Sequence, residues 1–177
     1  LDNITLISNS DAHSPAKLGR EANVLQFGSE SEITYDEITR IIQEGDRKKF
    51  LRTIEFYPEE GKYHYDGHRD CSFSCHPNDT KKYHDLCPIC KKPLVIGVMN
   101  RVMELADRTE DQARAFGREK AIPYASMVPL PEILSDVLRS GWNTKTVQSV
   151  YQTMIERIGN EFYILLHATL AEIEDAS

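Results

Sequence analysis

The 177-residue sequence lacks any apolar run approaching the roughly eighteen residues that cross a bilayer, so no transmembrane helix and no membrane partner are expected. No basic stretch followed by an apolar one marks an export signal, and a cytoplasmic location is the expectation. Internal repeats and low-complexity tracts are missing too, which excludes solenoids and compositionally biased tails. A basic excess is also lacking. The 21 Lys and Arg against 28 Asp and Glu leave a net charge of −7, which argues against coating nucleic acid by bulk charge. With 40% hydrophobic and 28% charged residues, the composition is that of a globular protein and too apolar for a disordered one. The chain starts Leu1-Asp2-Asn3 with no initiator Met, and a fragment or processed product is the expectation.

Charge is unevenly spread along three segments. Residues 1–45 carry 3 basic and 8 acidic side chains, residues 46–92 carry 10 and 8, and residues 93–177 carry 8 and 12. The one basic segment also holds all 4 cysteines.

Local patterns place the elements. Ile4-Thr5-Leu6-Ile7-Ser8 is β-prone and reads as a buried strand, with Asp11 and His13 on the polar loop that leaves it. Thr34-Tyr35-Asp36-Glu37 is a capping-box pattern opening a helix with Ile33, Ile38, Ile41 and Ile42 on one stripe, stopped by Gly45. Phe50–Tyr57 reads as a strand, and Lys62-Tyr63-His64-Tyr65 as the return strand of a hairpin. From Ile96 the reading is helical: Val98, Val102, Leu105 and Ala106 fall at helical spacing until Asp107–Glu110 breaks it. Prolines 123, 129 and 131 mark an irregular connection into a helix over Glu132–Arg139. Thr144–Ile158 and Asn160–Ile173 form two further helices, with Phe162, Tyr163, Leu165 and Leu166 as packing residues and Trp142 capping a small core. An α+β chain is expected, with a small ribbon-like β unit around the cysteines and a helical C-terminal subdomain.

The cysteines occur as Cys71-x3-Cys75-x11-Cys87-x2-Cys90. Two close pairs separated by a short loop suit tetrahedral zinc, one ion per chain. Cys87-Pro88-Ile89-Cys90 reads as a knuckle whose amides donate to sulfur, while Lys91 and Lys92 offset thiolate charge. Four thiolates leave no position open for water, so the expected site is structural. Disulfides are disfavoured in the absence of an export signal. An imidazole replacing one cysteine is the alternative, with His76 beside Cys75 the foremost of His64, His68, His76 and His84.

Asp11-Ala12-His13 sets two metal-ligand types at period two; in an extended segment both would point the same way. Alone this triplet is weak. Its setting, Ser10-Asp11-Ala12-His13-Ser14-Pro15 followed by Leu18-Gly19-Arg20-Glu21-Ala22-Asn23, resembles the last metal motif of the PHP (polymerase and histidinol phosphatase) superfamily. The cysteine segment is similar to the zinc-binding region of endonuclease Q and its relatives. That likeness includes Tyr63-His64-Tyr65-Asp66-Gly67-His68 before the cysteines and Gly97-Val98-Met99-Asn100-Arg101-Val102-Met103-Glu104-Leu105-Ala106-Asp107-Arg108 after them.

That resemblance implies a PHP phosphoesterase end over residues 1–48, carrying a remnant of the barrel, a zinc unit over 49–95 and a helical tail over 96–177. It implies a metal-dependent repair endonuclease that nicks DNA 5′ to uracil, hypoxanthine or abasic sites, with Asp11 and His13 as catalytic metal ligands. The metals would be divalent Zn, Mn or Mg, lowering the pKa of a bound water. The family's opening His-x-His pair occurs nowhere in this chain, so the catalytic metal site is incomplete and the chain alone is expected to be inactive. The N-terminal remnant is expected to self-associate.

DNA containing damaged bases is the implied partner. Arg69, Lys81, Lys82, Lys91 and Lys92 form a candidate basic patch for phosphates, and Tyr63, Tyr65 or Tyr83 a candidate stacking surface. Arg20 is a candidate donor to the scissile phosphate, against a salt bridge to Glu21 or Asp11. Two rival functions remain at this stage: a non-catalytic zinc-ribbon module binding nucleic acid or protein, and a PHP phosphoesterase acting on a small phosphorylated metabolite.

Overall fold

The structure is a computed structural model and describes residues 2–61 and 64–176. The chain folds as mixed α+β, with a three-stranded sheet, a small hairpin and a C-terminal set of helices. Residues 62 and 63, and with them the candidate Tyr63 and half of the expected Lys62–Tyr65 return strand, lie outside the described residues.

Strand β1 (Ala22–Leu25) pairs antiparallel with β2 (Phe50–Glu55). Helix α1 (Tyr35–Glu44) connects them, as the capping pattern requires. The Thr34 hydroxyl accepts from the Glu37 amide at 3.2 Å, and Gly45 closes the helix at φ 60°, a left-handed turn that costs glycine little. Ile41, Phe50 and Ile54 are fully buried where helix and sheet meet, each contributing on the order of 1.5–3 kcal/mol. Ile33 remains exposed, so the buried stripe is shorter than its spacing suggested. On the solvent side Arg40 bridges Glu37 and Glu44, and Lys49 also reaches Glu37 at 2.6 Å. Arg40 and Lys49 together hold the Glu37 carboxyl down at about 2.

The expected strand at Ile4–Ser8 does not form. Only Ser8 is held to the sheet, and by a side chain of β1 instead of by backbone pairing: Asn23 Oδ1 accepts from the Ser8 amide at 2.9 Å, and Asn23 Nδ2 donates to the Ser8 carbonyl at 2.7 Å. Ser8 is thereby buried, whereas Ile4, Leu6 and Ile7 stay exposed.

The hairpin comprises β3 (Asp66–His68) and β4 (Phe73–Cys75), with Asp66 opposite Cys75 and His68 opposite Phe73. A one-turn helix α2 (Pro77–Thr80) follows it. Beyond the second cysteine pair come α3 (Val98–Leu105) and α4 (Glu110–Lys120). Helix α4 is opened by a full Thr109/Gln112 capping box where the sequence pattern suggested only a break.

The irregular connection contains a strand, β5 (Tyr124–Ser126), which adds parallel to β2. The sheet order β1-β2-β5 therefore takes one strand from each of the three charge segments. Helices α5 (Leu130–Val137), α6 (Lys145–Arg157), α7 (Glu161–Leu166) and α8 (Leu170–Ala176) pack around Leu130, Leu134, Val147, Met154 and Ile164. The stretch expected as one helix over Asn160–Ile173 divides in two, because Thr169 and Glu172 cap α8 reciprocally. Phe162 closes over the backbone of Gly19, tying the N-terminal loop to α7. Trp142 is half exposed beneath Lys17, 5.7 Å away, and does not cap the core. No helix of the described residues is long and apolar enough to cross a membrane.

Candidate metal centre and nucleic-acid interface

The turn at the tip of the hairpin positions half of the cluster. His68 ends β3, the chain makes one 3-10 turn over Arg69–Cys71, and Ser72 at φ 48° reverses it into β4. The other half is the knuckle. The Cys87 carbonyl accepts from the Lys91 amide at 2.9 Å, the Cys87 amide donates to the Lys92 carbonyl at 2.8 Å, and Lys91 adopts φ 63°. Together they bring ligand atoms of His68, Cys71, Cys87 and Cys90 within 4.8 Å of one another. The Nδ1 of His68 lies 3.5 Å from the Cys90 sulfur. Metal–ligand bonds of about 2.0–2.3 Å in a tetrahedron put ligands about 3.5–3.8 Å apart, so this donor set fits a metal ion.

Cys75 is not the fourth member, contrary to the four-cysteine expectation. In the hairpin register it stands opposite Asp66, two residues further from the turn than the His68–Phe73 pair. At about 3.4 Å per residue that is about 7 Å along the strand, and its sulfur instead sits 3.6 Å from the Thr80 hydroxyl. Nor is His76 the imidazole, since its Nδ1 accepts from the Asn78 amide at 3.3 Å and caps α2. The overlooked signal is the spacing His68-x2-Cys71, which repeats Cys87-x2-Cys90.

The thiols titrate unevenly. Burial, then the neighbouring Cys90 and Cys87 thiols, push Cys71 up to about 11. Burial also raises Cys87, but amides of Cys90 and Ile89 and the adjacent thiols outweigh it and hold Cys87 below the usual thiol range. These amides act as the knuckle predicts. A divalent cation would favour the thiolate at all three cysteines.

Asp66, which sequence reasoning passed over, fastens this unit to the rest. It is fully buried and accepts from the Thr80 hydroxyl at 2.5 Å, the Asn100 amide at 2.6 Å and the Gly97 N–H at 2.7 Å. Burial works against its charge, yet the three donors prevail and its pKa lies below the ordinary carboxylate value. The hairpin, α2 and the start of α3 therefore share one carboxylate.

Asp11 and His13 are exposed. Asp11 has φ 43°, so the segment is not extended, and the His13 ring turns back to the Asp11 carbonyl at 2.8 Å. Neither belongs to a group of three or more metal-ligating side chains among the described residues. Arg20 pairs with Glu60 at 3.1 Å, with its guanidinium 5.0 Å from the Phe56 ring centroid; the bridge to Glu21 or Asp11 is not the one made. Of the candidate phosphate contacts, Lys82 is tied to Asp79. Arg69, Lys81, Lys91 and Lys92 are exposed and form no ion pair among the described residues. Tyr65 and Tyr83 are both partly exposed, and Tyr83 rests edge-on against Phe73 at 5.3 Å.

A family model described as the MJ0043 C-terminal domain matches residues 129–177. The uncharacterized protein MJ0043 of Methanocaldococcus jannaschii is 32% identical over 177 residues, covering 98% of this chain and 22% of that protein. The crystal structure of the lesion-specific endonuclease PfuEndoQ from Pyrococcus furiosus matches with a TM-score of 0.82 and 29% identity, over 99% of this chain and 42% of that one. A crystal structure of endonuclease Q with a 27-mer duplex substrate, an abasic lesion at its active site, matches with a TM-score of 0.74 and 28% identity over the same shares. This chain thus has the fold of part of endonuclease Q and resembles its C-terminal portion. It spans about a fifth of the curated relative's length and about two-fifths of the solved structures'.

Proposed function

We propose that this chain is the C-terminal part of a metal-dependent DNA repair endonuclease that nicks 5′ to uracil, hypoxanthine or an abasic site. The observation that carries the reading is the likeness, over nearly the whole chain, to a lesion-specific endonuclease. The part described here would supply a structural zinc and contacts to the DNA backbone. Zinc, when bound, would supply charge neutralisation and a rigid cross-link between hairpin and knuckle. Its ligands would be His68, Cys71, Cys87 and Cys90, a closed set with no position for a reacting water. Arg69, Lys81, Lys91 and Lys92 would then meet phosphates without reading sequence. Lys82 and Arg20 would first have to leave Asp79 and Glu60.

Asp11 and His13 are assigned to the catalytic PHP-type metal site. Two ligands fall short of a hydrolytic metal centre, so the rest would come from the longer protein, and no hydrolytic step is derived from this chain.

The test is a nicking assay on the complete protein. Duplexes carrying uracil, hypoxanthine or an abasic site should be cut only with divalent metal present, and Asp11→Ala should abolish the cut. Unchanged nicking by that variant, or hydrolysis confined to small phosphomonoesters, would refute the reading.

A further inference from the structure

We propose that the hollow beside the metal knuckle is a binding pocket for one unpaired nucleotide of a DNA strand, the base against Tyr83 and its phosphate on Lys91. The inference rests on the DNA-binding reading above and goes further, naming the pocket and the form of the ligand.

The hollow has a volume of about 230 Å³, and its wall is built from Tyr83, Leu86 and Pro88, with Lys82, His84 and Lys91 around it and the metal-cluster residue Cys87 at its base. That is just below the roughly 300–1,000 Å³ of pockets that take whole small molecules. A hollow of that size takes in only part of a nucleotide and leaves the remainder outside. Leu86 and Tyr83 are 39% and 37% exposed, an apolar patch within the chain's only basic segment. An aromatic wall flanked by cations matches a nucleotide, which presents a π-face and an anion about one sugar apart.

The walls are also pre-shaped. Tyr83 rests edge-on against Phe73, ring centroids 5.3 Å apart at 84°, a contact that favours its present position. His84, Asp85 and Lys91 hold left-handed backbone at φ 53°, 58° and 63°, a region His and Asp reach more readily than Lys. They are kept there by the Leu86 amide on the Tyr83 carbonyl (3.0 Å), the Leu94 amide on the Asp85 carbonyl (2.9 Å) and the Leu86–Pro93 bridge. Ordering entropy is therefore spent on folding rather than on binding. Because Lys82 is held by Asp79, the free cations in this region are Lys91 with Lys81 and Lys92. A base stacked inside a duplex cannot enter the hollow, so the ligand is unpaired.

The test is fluorescence anisotropy of the full, zinc-loaded chain with two labelled oligonucleotides of equal length. One is a thymidine 12-mer and the other carries the same phosphates with abasic sugars throughout. The thymidine strand should bind at least about fivefold tighter, the factor expected of one base on one aromatic ring. Tyr83→Ala should erase that difference, Tyr83→Phe should preserve it, and Lys91→Glu should weaken both strands; zinc content confirms that each variant is folded. Equal binding of the two strands overturns the pocket but leaves phosphate contact, and the nuclease reading, standing. No binding of either strand overturns the pocket and the DNA contacts assigned to this part together. A Tyr83→Ala variant that keeps the full preference also overturns it.

Discussion

Replacing His68 and Cys75 one at a time separates the ligand set drawn from cysteine spacing from the one built by the hairpin register. If a structural zinc site in a small unit supplies about 10–16 kcal/mol and four ligands share it evenly, each accounts for about 2.5–4 kcal/mol. Losing one ligand then weakens the metal roughly a hundred- to a thousandfold. His68→Ala should show that loss, since its ring is 3.5 Å from the Cys90 sulfur and inside the 4.8 Å cluster. Cys75→Ala should keep one zinc per chain. It removes only a buried-side thiol contact to Thr80 and should cost about 1 kcal/mol. Metal content by mass spectrometry, competition against a chromophoric chelator and thermal melts with and without EDTA read all three quantities. Zinc lost from Cys75→Ala but retained by His68→Ala would refute the register argument outright.

Asp66→Ala leaves three donors unpaired in the interior and should destabilise the zinc unit by about 3 kcal/mol or more, measured by urea denaturation. Because the folded pKa of Asp66 lies below its ordinary value, its contribution is complete above about pH 4 and is lost as pH falls through the folded pKa. The stability gap between the wild type and Asp66→Asn should therefore shrink on acidification, and a gap that widens below pH 4 would contradict this assignment. At Gly97 a Cβ would stand 2.4 Å from the Tyr65 carbonyl oxygen, a backbone atom with no room to retreat. Gly97→Ala should cost about 1–3 kcal/mol in the same assay, and a neutral result would mean the hairpin does not press on α3.

Elements set by neighbouring residues were legible in advance. Thr34 with Glu37 opens α1 and Gly45 ends it, because cap and stop chemistry acts within four residues. The run Phe50–Glu55 is a strand because its side chains suit a buried pleat. Two further helix starts could have been read by the same rule, Thr109 with Gln112 and Thr169 with Glu172. Three-residue β5 carries too little pattern to declare itself and exists because β2 offers it an edge. Ile4–Ser8 has strand composition, but at Ser8 the Asn23 side-chain amide takes both backbone groups that strand pairing would use.

By itself the sequence placed a candidate metal-binding cluster between residues 71 and 90, showed that the chain is α+β, and showed which kind of enzyme it resembles. Those properties reside in residue type and short spacing. Only the tertiary structure decided that His68, and not Cys75, stands within reach of the other three thiols, that Asp66 joins hairpin to helix, and that Tyr83 lines a hollow. Each of these depends on strand register or on contacts between residues tens of positions apart. A shift of two residues along a hairpin moves a side chain by about 7 Å, three times a metal–sulfur bond, and leaves no trace in composition.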